Sequence, residues 1–147
     1  MQMRITINGT EKVIKKLKKL SELNFEPEFN KIGEYLKQYY SGEVFLSQGG
    51  VFGKRWQPIA DGTRKYKTKH YTGKGILERT GNMRKSFTFT ATKDSVMVTN
   101  TATYFKYHQS SEPRTKLPRR VMIGYNSAIK NQVRSLLNDG VKRLVNE

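Results

Sequence analysis

The chain contains no cysteine. Disulfides, zinc–thiolate sites and thiol nucleophiles are excluded, and a reducing compartment is compatible with the composition. It also lacks any apolar run approaching the roughly 18 residues that would span a bilayer. Its start, MQMRITING, is too short and too polar for the apolar core of a signal peptide. The expectation is a protein that is soluble and cytoplasmic when made, with no membrane partner. Histidines number only two, His70 and His108. No acidic cluster surrounds either one, so no metal or cofactor is expected. A ribonuclease-like pair of imidazoles would need both in one preorganised site, and His70 falls in a stretch that reads as loose. His108, set among aromatics, is more simply a packing and hydrogen-bonding residue. Gly73, Lys74 and Gly75 lack the spacing and the following helix of a phosphate loop. No catalytic constellation emerges, and the chain reads as a non-enzyme.

What is present is positive charge. Twelve acidic residues face 28 lysines and arginines, for a net charge of +16 over 147 residues. The length suits one domain spanning 1–147. Half of the net charge falls in 54–85, where ten basic side chains meet only Asp61 and Glu78. Such a patch repels itself unless it is solvated or faces an acidic partner, either nucleic acid or an acidic protein surface. Hydrophobic residues make up 35% of the chain, which is low for a globular protein and implies much surface or extended loop.

In chain order, Arg4, Ile5, Thr6 and Ile7 form a β-like run, and Asn8-Gly9 is a turn signal. Thr10 suits a helix N-cap. Val13, Ile14, Leu17 and Leu20 then share one helical face to about Leu23, with lysines covering the rest. Those lysines suit nucleic acid or a membrane surface, but a solvated face is the simpler reading. Asn24 and Pro27 open a second helix with Phe29, Ile32, Leu36 and Tyr39 or Tyr40 along one side. Gly33 beside that stripe permits close packing, and Tyr35, Tyr39, Tyr40 and Phe45 mark the central core. No period holds across 47–75, which reads as an extended, mobile basic arm anchored by Trp56, Pro58 and Ile59. Thr80-Gly81 is a tight turn leading through a basic, polar stretch into a strand. Ser86, Thr88 and Thr90 lie on one face of that strand, and Phe87, Phe89 and Ala91 on the other. Residues 93–95 turn the chain back into a second strand from Val96, with a break at Asn100-Thr101. A one- or two-turn aromatic helix over 102–109, a polar loop over 110–118 and a brief apolar strand over 121–124 follow. Ser127 is a plausible N-cap for a closing helix through Ile129, Val133, Leu136, Leu137, Val141 and Leu144. The fold class is α+β: two N-terminal helices and a C-terminal helix packed on a small, mainly antiparallel sheet, with a long basic loop.

The pieces have a recognisable order: MRITING, Ile32-Gly33-Glu34, Trp56-Gln57-Pro58, and Ile76-Leu77 leading to Thr80-Gly81-Asn82-Met83-Arg84-Lys85-Ser86. Val96-Met97-Val98-Thr99-Asn100, Tyr104 with His108-Gln109, and Leu117-Pro118-Arg119 through Ile123-Gly124 complete it. In this order and spacing the chain resembles the virion morphogenesis (tail completion) proteins of Mu-like and P2-like bacteriophages. Departures lie at Ser110-Ser111, where family members usually carry glycines, at Phe105 in place of a small residue, and at Arg119-Arg120-Val121-Met122 in place of Arg-Pro-Phe. They bear on the shape of the 110–118 loop and on partner specificity.

The resemblance implies a non-enzymatic particle protein acting in tail completion or head–tail joining. Its implied partners are phage tail and head–neck proteins and further copies of itself, with a ring as one arrangement. It implies a place at the neck or tail end of the virion, after assembly in the host cytoplasm. The interaction candidates are Trp56 and Pro58 as anchors of the arm, Arg64, Lys65, Lys67 and Lys69 as its cations, Thr80, Gly81 and Arg84 at the turn, and Tyr104, His108 and Gln109 at the second loop. For that last group, core and turn geometry is an equally good reading. Tyr66 and Tyr71, interleaved with the cations, leave open sequence-independent nucleic-acid binding by 54–85, with phosphate contacts dominant.

Overall fold

The computed structural model describes residues 10–146; the expected strand at Arg4 to Ile7 lies outside them. Helix α1 (Thr10–Ser21) ends two residues before the expected Leu23. Its apolar stripe does not enter the core: Ile14, Leu17 and Leu20 are 61%, 58% and 60% exposed.

Helix α2 (Glu26–Ser41) is the spine, with Pro27 in its first turn, where a missing N–H costs nothing. The Asn24 side chain accepts from the Glu26 N–H at 2.9 Å. One side of α2 meets a hairpin, β1 (Phe87–Ala91) and β2 (Val96–Asn100). The strands are antiparallel, with Phe89 opposite Val98. Alternation is as the sequence implies: Phe87, Phe89 and Ala91 turn inward, and Thr88 and Thr90 face water. Thr88 and Thr99 join their hydroxyls across the outer face at 3.1 Å. Gly33 is where α2 and the hairpin touch. A Cβ there would stand 2.2 Å from a ring carbon of Phe89, so only glycine admits that contact.

The other side of α2 meets the closing helix α7 (Ser127–Asn146). Its N-cap is Asn126, not Ser127: the Asn126 carboxamide oxygen accepts from the Ile129 N–H at 2.9 Å. Near the far end, Arg143 grips Glu28 of α2 through two hydrogen bonds of 3.0 Å. Glu28 is only 3% exposed. The Arg143 hydrogen bond outweighs burial and holds its carboxyl below the usual range.

Between these layers lies an aromatic core centred on Phe87, whose ring lies about 6 Å from those of Tyr40, Phe45 and Phe105. The expected strand at 121–124 does not form, and the sheet has two strands among the described residues. The α+β class stands: helices packed on a small antiparallel sheet.

Two outcomes follow. Gly33→Val lowers the unfolding free energy by about 1–3 kcal/mol through overpacking. Gly62→Ala, where a Cβ meets nothing within 4 Å, is neutral to stabilising; urea denaturation of both checks this. Separately, the stabilisation from Glu28 is fully present above the ordinary carboxyl value near 4.5 and is lost as pH falls through its lower folded-state value. Arg143→Met therefore lowers the urea midpoint at neutral pH, by about 2 kcal/mol in free energy, and flattens the acid limb of a stability-versus-pH curve.

Candidate functional site

After α2 the chain makes a short helix, α3 (Glu43–Leu46), and a 3-10 turn at Gly50–Phe52. Trp56 anchors what comes next, as its sequence context implies. It is 6% exposed and meets Phe45 edge to face at 5.3 Å. Its indole N–H donates to the Val121 carbonyl at 2.8 Å, and its backbone N–H to the Gln48 carbonyl at 2.7 Å. Gly49, at φ 80°, lies under the indole, where a Cβ would be 2.4 Å from its nitrogen; the conformation and the contact both require glycine.

The basic arm is not a structureless loop. Asp61–His70 is a regular helix, α4, with Asp61 in its first turn and Lys67, Lys69 and His70 in its last. Charges so placed complement the helix dipole, and Asp61 pairs with Arg64 one turn on. The helix has no buried residue, so it leaves no hydrophobic period to read. Its four expected cations divide. Lys65, Lys69 and Arg64 are exposed. Lys67 turns inward, its ammonium donating to the Gly75 carbonyl, and burial lowers its pKa although the nearby Glu78 acts the other way. Inward, a cleft of about 600 Å³ separates α4 from α3, with Leu46, Pro58, Ile59 and Ile76 among its walls. Outward, Tyr66 lies against His70 at 4.5 Å between ring centres; Tyr71, half-buried at the edge of the cleft, is covered by Arg79 at 5.1 Å.

Thr80 and Gly81 form the expected tight turn, with Gly81 at φ 74°. The basic lead that follows is a single helical turn, α5 (Asn82–Lys85), rather than extended chain. Arg84 is a tie rather than a free cation. It pairs with Glu78 at 2.8 Å and donates to the Ser41 carbonyl at the end of α2. Tyr104 accepts from the Asn82 side chain at 3.2 Å, which links the second loop to this turn.

Helix α6 (Phe105–Gln109) is the short aromatic helix expected, and it clamps the segment that failed to become a strand. The Gln109 carboxamide oxygen accepts from the N–H groups of Met122 and Ile123 at 2.8 and 3.1 Å, and its NH₂ donates to the Ile123 carbonyl at 2.7 Å. One side chain thus supplies the contacts a neighbouring strand would make. His108 accepts from the Arg120 N–H through its backbone carbonyl. Among the described residues its buried Nδ1 has no hydrogen-bond partner; burial first, then Arg120 and Arg114, lower its pKa. Gln48, Glu78, Arg120 and Asn126 were not singled out in the sequence. Their types are common surface types, and only Asn126, beside Ser127 at a helix start, carried a readable signal.

Thus Trp56, Gln109, Arg84 and Lys67 hold backbone in place, while Lys65, Lys69 and Arg64 remain outward. Among the described residues no cluster of three or more histidines, aspartates or glutamates could hold a metal ion. The arrangement is that of a small, basic α+β protein with a braced interior and a cationic exterior. The chain belongs to the phage virion morphogenesis family, whose model matches residues 5–142. No curated protein and no solved structure matches the chain. Family membership supports a structural, morphogenetic role in a phage particle.

Gln109→Leu keeps the bulk but strands two N–H groups and a carbonyl. The expected cost is about 3 kcal/mol, read as a lower urea midpoint. Lys65→Gln, exposed on α4, leaves the midpoint within about 0.5 kcal/mol of the parent.

Proposed function

We propose that the chain is a structural subunit that acts in tail completion or head–tail joining by protein–protein assembly, at the neck or tail end of the particle. Membership of the virion morphogenesis family over residues 5–142 carries this reading. The layout of the surface supports it. The α1 stripe of Ile14, Leu17 and Leu20 is exposed, as are Lys65 and Lys69 on α4. These are surfaces that neighbouring subunits or tail and neck proteins would complete, and a homo-oligomeric ring is the arrangement we favour. Trp56, Thr80, Gly81, Arg84 and Gln109 serve it indirectly, by fixing the frame from which α4 projects, and Pro58 is exposed at the cleft beside it.

A second reading draws on the outer face of α4. Tyr66, His70 and Arg79 are exposed beside Lys65 and Lys69, with the half-buried Tyr71 at their edge, a surface suited to sequence-independent nucleic-acid binding. Such binding would weaken steeply with added salt.

Electron microscopy of lysates from a phage with this reading frame disrupted separates the two. Filled heads beside unattached tails are expected. Normal joined particles would reject the proposal and leave salt-dependent DNA binding as the property to pursue.

A further inference from the structure

A second cationic surface lies away from α4, where the 53–57 stretch faces the 114–121 segment. A groove of about 420 Å³ opens there, with Lys54, Arg55, Arg114 and Arg119 on its rim and no acidic side chain in its lining. Phe52, Pro118 and Val121 give it apolar walls. Two rim arginines are braced: Arg114 lies over the Tyr107 ring at 5.0 Å, and Arg119 donates to the Gln109 carbonyl at 3.1 Å.

Beside the groove is a charge with no counter-ion. Arg120 is 5% exposed, and its guanidinium donates from Nε and Nη2 to a single acceptor, the Gln57 carbonyl, at 3.3 and 3.1 Å. No carboxylate pairs with it among the described residues. Arg143 and Arg84, which also make contacts inside the fold, have Glu28 and Glu78. A buried cation is costly unless paired, and Gln57, the residue that accepts from Arg120, lines the groove itself. His108, with its unpartnered Nδ1, feels the positive charge of both Arg120 and Arg114. Among the described residues no carboxylate pairs with any of the groove's cations or with Arg120.

We propose that this groove receives an acidic peptide segment of a partner protein, whose carboxylates pair with Arg55, Arg114 and Arg119 and offset Arg120. The inference rests on the assembly reading above and names the chemistry of one partner contact. A peptide fits better than a nucleic acid. Arginine forks take carboxylate and phosphate alike, but the apolar walls suit side chains between the acids. Trp56 borders the groove, but it is buried and its N–H is committed to Val121, so it offers no platform for a base to stack on. A second copy of the chain is a poor occupant, since each copy carries +16.

The test uses the full chain and a fluorescent peptide of alternating glutamate and leucine. Fluorescence anisotropy is expected to show binding that falls at least about tenfold in R55Q/R114Q and stays within about twofold of the parent in K65Q/K69Q. In the unmutated chain, NMR is expected to show the ring signals of His108 moving with peptide while those of His70, on α4, stay. Movement of His70 alone, or equal binding by R55Q/R114Q, overturns the proposal. So does a DNA duplex that displaces the peptide and moves His108 in the same way. In a phage carrying R55Q/R114Q, joined particles are expected to fall as they do on loss of the reading frame. If they form normally while loss of the frame abolishes them, the groove proposal fails and the assembly role stands.

Discussion

Backbone groups taken out of water need partners, and here a two-stranded sheet cannot supply enough of them. The segment 119–126 crosses the core edge without a neighbouring strand, so side chains do the work. Gln109 takes Met122 and Ile123, and Trp56 takes the Val121 carbonyl. Tyr40 donates its hydroxyl to the Gly124 carbonyl at 2.8 Å, and Asn126 reaches Tyr39 and the Val51 carbonyl. The partners sit on α2, the 47–56 loop and α6, and Asn126 caps α7, so this one segment links all four. Burial pushes the Tyr40 hydroxyl up to about 12, so it remains a donor at any pH the protein meets.

That constraint explains what was legible in the sequence and what was not. Elements with an apolar period were readable: α2 through Ile32 and Tyr40, the hairpin through Phe87 and Phe89, and α7 through Ile129 and Val133. The Thr80-Gly81 turn and the anchoring role of Trp56 were readable because glycine and a lone tryptophan have few alternative uses. Helix α4 was not, because it buries nothing and is set by charge order along its axis. The run Val121-Met122-Ile123 looked like a strand because it has a strand's composition. Only the three-dimensional position of Gln109 shows that a side chain takes the place of its pairing partner. Lys67 reads as a surface cation for the same reason: a sequence gives the type of a charge but not the carbonyl beneath it.

The charges therefore fall into two populations. Glu28 with Arg143, and Glu78 with Arg84, tie helices and turns together inside the fold. Lys67 and Arg120 are turned in on backbone carbonyls, and α1, α4 and the rim of the 53–57 groove carry outward positive charge. A structural virion protein is suited by this division, since its frame stays fixed while its outer charge is left for neighbours to neutralise.

The exposed stripe of α1 acquires a further meaning from its surroundings. Ile14, Leu17 and Leu20 invite association, yet Lys15, Lys18 and Lys19 stand beside them on the same exposed helix. Two free copies meeting through this stripe must crowd their lysines together before any apolar surface is covered. The repulsion acts over a Debye length of about 8 Å at physiological salt, so it is felt before the side chains touch. The helix thus acts by order of events: like-charged copies do not pair through it in free solution, and neighbouring subunits close over it once a surface with negative charge is already in place.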